Sequence, residues 1–334
     1  MKALSSFCSL VLLLAAGGHT PVAAQPAASD IFAAVNLSAD DQARVLGGEF
    51  VSSDLTAVSS RDLSVLILFV VQTSPDDLAR KVMAGTLSSA DEQMTARGNI
   101  SREGSVADFA DLHLTPGGAD FANTLIGLSG GNSFNFSTAE LAALNGLNGQ
   151  GDPVTSVEQQ LRTMLLARYR SYRQGGLSGI PGYDRGGKIE DPTGDLRGAS
   201  AAPLLKQYYP SVQKVLTGYP RATVDGLTES FFWVNNHIDD QPTFALTHMM
   251  MAPEGNLRIL IQRQFYVSRS YNVEQAIAGF IPIAQGTLVV YSNHTFTDQV
   301  SGFGGSAKQS IGRRVMAGKL KELFEAERAA ATGQ

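Results

Sequence analysis

The sequence predicts an α+β fold: a curved antiparallel sheet closed by a long C-terminal helix, with a helical and loop insertion at about 85–217. Three observations predict it. First, four strand-like apolar runs follow one another late in the chain, at Leu227–Asn236, Thr243–Met251, Leu257–Val273 and Gln285–Thr297. Second, Pro253-Glu254-Gly255-Asn256 joins two of them as a hairpin turn, which makes neighbours antiparallel. Third, Ala307–Arg328 places Ile311, Val315, Leu320, Leu323 and Phe324 at helical spacing, with Arg313, Arg314, Lys321 and Glu325 largely outside.

From the start, Met1–Ala24 has the layout of a secretory signal: Lys2, the apolar stretch Leu10–Ala16, and Val22-Ala23-Ala24 as a small-residue cleavage site. That stretch is too short to span a bilayer, and no second long apolar run follows. The expected location is periplasmic or secreted. The single cysteine, Cys8, lies inside the signal, so the mature chain has no disulfide and no cysteine-ligated zinc. A net charge of −5 over 334 residues gives no footprint for nucleic acid, and 34 glycines fit a loop-rich fold. The mature chain is read as one α+β domain over 25–334.

Gln25–Ser38 reads as a loose terminus, and Ala39–Leu46 as a helix ended by Gly47-Gly48. Glu49–Ala57 and Leu63–Val71 read as strands joined by Ser59-Ser60-Arg61-Asp62. The second is apolar on both faces and so belongs inside a sheet. A helix begins after Thr73-Ser74, with Pro75 in its first turn. Gly85–Gly151 reads as short helices and loops, Val154–Gln174 as a firm helix, Gly175–Gly198 as a loop, and Ala201–Thr217 as a helix interrupted near Pro210.

Catalytic motifs fail on context. Gly182–Lys188 matches the start of a phosphate loop, but Ile189 stands where the magnesium-binding hydroxyl belongs. Gly127-Leu128-Ser129-Gly130-Gly131 fits a nucleophile elbow in spacing but not in flanking structure. His237, His248 and His294 fall on different strands or turns, at no close-ligand spacing. No catalytic residue, metal site or cofactor is assigned. The basic, aromatic segment Arg168–Arg173 reads as a solvated helix end, or else as a contact for a membrane surface.

Leu257–Val273 carries the main functional signal. Alternate residues put Leu257, Ile259, Ile261, Arg263, Phe265, Val267, Arg269, Tyr271 and Val273 on one face. If that face is buried, both arginines need an acid, such as Asp225, Glu229 or Glu274, or an anionic ligand. If it turns to solvent, they are ordinary surface residues. With the Phe231–Trp233 and Met249–Met251 clusters, the candidate ligand-binding set is Arg263, Arg269, Phe265, Tyr271, Trp233, His248 and Met250.

The order of elements resembles the helix-grip arrangement of START and Bet v 1-like proteins. Locally, Gln264–Tyr271, Phe231–Val234 and Gly304–Ile311 resemble segments of uncharacterised exported bacterial proteins. The resemblance covers Glu49–Met83 and Gly226–Arg328 and implies an apolar ligand held between sheet and closing helix. The expected function is therefore non-enzymatic: binding or carrying a hydrophobic, lipid-like small molecule, anionic if the arginines contact it. Two alternatives stand beside it. One is a hydrolase or lyase using the histidine-containing sheet region; the other is a cell-envelope interaction module without a pocket.

Overall fold

The computed structural model describes residues 26–85, 93–114, 118–130, 134–201, 203–301 and 304–332. The expected signal segment lies outside the described residues. The centre is an eight-stranded antiparallel sheet in the order β1-β2-β10-β9-β8-β7-β6-β3. A meander forms most of it: β6 (Thr228–Ile238), β7 (Gln241–Glu254), β8 (Leu257–Val267), β9 (Val273–Ile283) and β10 (Gly286–Phe296). The N-terminal hairpin, β1 (Val51–Asp54) and β2 (Asp62–Val71), adds to the β10 side, and β3 (Met94–Ile100) adds to β6, while β4 (Tyr183–Asp184) and β5 (Ile189–Glu190) pair separately.

Strand alternation gives the sheet two apolar faces, and helices cover both. On the first face, Leu66, Leu68 and Val70 meet α1 (Ala28–Ala34), α2 (Ala39–Leu46), α8 (Pro203–Tyr208) and α9 (Pro210–Gly218). Farther along that face, Phe231, Trp233, Phe244, Leu246 and Phe296 pack beneath α4 (Gly118–Ile126), α5 (Thr138–Asn145), α6 (Pro153–Gly175) and α7 (Thr193–Ser200). On the second face, Val65, Ile67, Phe69 and Val71 pack against α3 (Pro75–Met83) and α10 (Gly305–Thr332). Here α10 rests on Met316, Ala317, Leu320 and Phe324, and Phe324 stacks on Phe69 at 5.2 Å. Gly312 permits close approach, since a Cβ there would meet the Leu63 side chain at 2.9 Å.

Four expectations are corrected. Of the expected loose stretch Gln25–Ser38, residues 26–38 are described and are not loose: α1 buries Ile31 and Phe32 under the sheet. Residues 94–100 form an edge strand rather than a loop over the sheet. Leu257–Val273 is not one strand, because β8 ends at Val267 and Val273 opens β9, a strand the sequence reading did not separate. Two local features divide it. Phe265 bulges opposite Leu246/Thr247, and Ser270 turns the chain at φ 73°. The inferred alternation therefore fails beyond Phe265. Finally, Arg168 is not at a solvated helix end. It is buried, its Nε donating to Glu140 Oε1 at 2.6 Å, with its guanidinium over the Tyr266 ring.

Candidate ligand-binding site

Cross-strand register builds a row of polar side chains straight across the first face. Ser64 of β2 stands opposite His294 of β10, then come Gln275 of β9, Arg263 of β8, His248 of β7 and Phe231 of β6. Ser64, His294, Gln275, Arg263 and His248 are all buried. The row divides the two apolar clusters of that face, with Ile259, Ile261, Met250 and Leu288 on one side and Leu246, Phe265, Val273 and Phe296 on the other.

Arg263 has no exposed surface and, among the described residues, no acid in ion-pair contact. Of the alternatives the sequence leaves open, burial holds for Arg263, but Asp225, Glu229 and Glu274 are not among its hydrogen-bond partners. Gln275 Oε1 accepts from its Nε at 3.0 Å and its Nη2 at 2.7 Å. The Leu216 carbonyl accepts at 3.0 Å, Ser200 Oγ at 3.2 Å and the Tyr172 hydroxyl at 3.3 Å. Neutral acceptors from β9, α6, α7 and α9 thus replace the water this charge would lose on burial.

The chain continues through Tyr172 to His248. Tyr172 Oη lies 3.1 Å from His248 Nδ1, and His248 Nε2 lies 3.1 Å from Glu229 Oε2. A neutral ring protonated on Nε2 fits every contact: it accepts from Tyr172, which accepts from Arg263, and donates to Glu229. Burial pushes the His248 pKa down to about 4, against the opposing pull of Glu229. The hydrogen bond from His248 lowers the Glu229 pKa, aided by Arg173 at 3.0 Å. At the other end of the row, His294 Nδ1 lies 2.9 Å from Asp62 Oδ2. Beside it Arg61 gathers Glu190, Asp195 and Asp298, and burial raises the Asp195 pKa.

Three of the seven sequence-assigned residues meet here: Arg263, His248 and Phe265, whose ring stacks on Tyr172 at 4.0 Å. Met250 packs in the neighbouring apolar cluster. Trp233 donates from Nε1 to the Asp108 carbonyl at 2.8 Å. Arg269 lies apart, half-buried, donating to the Ile238 carbonyl at 2.7 Å. Tyr271 is on the second face, its hydroxyl 2.5 Å from Gln264 Oε1. Among the described residues no group of three or more His, Cys, Asp or Glu is placed to hold a metal ion. Ser129 follows α4, which ends at Ile126, rather than a strand.

A small cavity of about 250 Å³ lies beside α6, lined by Tyr169, Arg170 and Arg173, and a wider groove lies on the second face. A groove of about 580 Å³ runs between α10 and the β1–β2 edge. Phe50, Val65 and Ile67 give it an apolar floor; Ser52, Ser53 and Ser310 add hydroxyls; Arg313, Arg314 and Lys321 project from the helix. Among the described residues, Arg313 and Arg314 carry no ion pair, and Lys321 meets only Glu325, at 3.8 Å. Arg314 and Lys321 are exposed and Arg313 is half-buried, so the three lie largely outside, as the helical spacing predicts, while also lining this groove. The signal that marks them is a basic stretch without acids, Lys308–Lys321. Comparisons of the chain with family models, curated proteins and solved structures find no match.

Proposed function

We propose that this is an exported binding or carrier protein for an anionic amphiphile, an alkyl chain bearing a carboxylate or phosphate, held between α10 and the β1–β2 edge in a helix-grip-like seat. The observation that carries the reading is the pairing of an apolar floor with three cations in one groove, Phe50, Val65 and Ile67 below Arg313, Arg314 and Lys321. Its volume of about 580 Å³ falls within the roughly 300–1,000 Å³ of small-molecule sites. An alkyl chain gains from the floor, and its head group gains charge-assisted hydrogen bonds from guanidinium groups that have no acid partner among the described residues. The polar row on the first face is then internal scaffolding, because each polar group of Arg263 and His248 that enters it already has a protein acceptor or donor.

Titration with dodecanoate, below the concentration at which it forms micelles, tests the reading. The wild-type protein binds one equivalent, and the Arg313→Ala/Arg314→Ala/Lys321→Ala variant binds at least about tenfold more weakly at unchanged circular dichroism. Equal binding by that variant refutes the groove assignment.

A further inference from the structure

The outer side of α10 has no role in holding a ligand, yet it is built in a specific way. Between Gly305 and Lys321 the helix carries five cations, Lys308, Arg313, Arg314, Lys319 and Lys321, and no acid, in a chain of net charge −5. Met316, Leu320 and Phe324 face the sheet. On the far side Ile311 and Val315, one turn apart, are 65% and 56% exposed, and Lys308 and Lys319 beside them are exposed too. The helix is therefore apolar on both sides, with its cations between and around the two stripes.

We propose that this outer face, Lys308–Lys319, docks on an anionic lipid surface, with Ile311 and Val315 entering the headgroup boundary and the cations meeting lipid phosphates. Charge complementarity supplies the attraction, and the exposed aliphatic pair separates a bilayer from a soluble polyanion, which gives Ile311 and Val315 nothing to enter. The contact is peripheral, since no helix among the described residues is long and apolar enough to cross a membrane. Arg314 and Lys321 are exposed and also line the groove, so a docked protein presents its groove cations beside the lipid headgroups. That last step, transfer between membrane and groove, rests on the function proposed above; the docking itself does not.

Sedimentation of the full chain with phosphatidylcholine vesicles, with and without one-third phosphatidylglycerol, tests the docking. Binding to the anionic vesicles should be at least about tenfold tighter and should weaken with salt. Both Lys308→Glu/Lys319→Glu and Ile311→Asn/Val315→Asn should weaken it about tenfold or more. The substituted residues are exposed, so the variants keep the fold, and the asparagine pair should still bind dodecanoate. Ser52→Phe, which fills the groove, should lose dodecanoate and keep docking, so the two proposals fail separately. Equal affinity for both vesicle types, or none for either, overturns the inference. So does a loss with the glutamate pair but not the asparagine pair alongside undiminished retention on heparin, which would mark a polyanion site.

Discussion

At the scale of single residues, Arg263 shows why a buried charge need not mark a ligand. Its guanidinium has Gln275, Ser200, Tyr172 and the Leu216 carbonyl as neutral acceptors. Arg263→Met keeps much of the volume but orphans those acceptors, so it should destabilise the fold by about 2–4 kcal/mol in urea unfolding. Dodecanoate affinity should not change; a weaker ligand at unaltered stability would return Arg263 to the binding site. His248 makes a prediction in pH. Its pKa falls from 6.5 to about 4 on folding, so below pH 6.5 the unfolded chain takes up a proton that the native state refuses. Stability should drop by on the order of 2 kcal/mol between pH 7 and pH 5, and His248→Gln should lose most of that slope. Glu229 acts in the same direction but only at lower pH, because its pKa is lowered from 4.5. The sequence exposed the oddity of Arg263 on an apolar face. It could not expose the partners: Tyr172, Ser200 and Leu216 come from three helices far along the chain, and Gln275 from β9, the strand hidden by the broken period.

Among the elements, the strands were legible where alternation is regular and turns carry glycine or proline. β6, β7 and β10 stand close to where the pattern puts them. Legibility stopped at β8, where the Phe265 bulge and the Ser270 turn break the period, hiding β9 and misplacing Arg269 and Tyr271. β3 was illegible for another reason: Met94-Thr95-Ala96-Arg97-Gly98-Asn99-Ile100 has little apolar alternation and is held by pairing with β6. The C-terminal helix was legible as amphipathic, and its anchor can be tested. Phe324 stacks on Phe69 and meets Tyr291 edge-on at 4.8 Å. Phe324→Ala should cost about 1–3 kcal/mol and raise amide exchange selectively along α10. Uniformly raised exchange across the sheet would show that α10 is not a separately anchored element.

Over the whole molecule, the two faces of the sheet are filled differently. The first is packed against eight of the ten helices among the described residues, and Arg263 and His248 of its polar row have protein partners, although Gln275 Nε2 is buried without one; the second is covered by α3 and α10 and leaves a groove. The groove's two walls come from opposite ends of the described chain, and no local pattern announces that Ser52 and Arg313 share a cavity. The α+β class and the large antiparallel sheet were therefore readable from the sequence, but the location of open space was not. In the function proposed above, an anionic alkyl ligand sits under α10 and not along the polar row. Photo-crosslinking with a diazirine-bearing alkyl carboxylate, followed by peptide mapping, tests it most directly. Labels should be confined to residues 50–67 and 310–321; labels on Tyr172, His248 or Phe265, or no saturable labelling at all, would refute that placement.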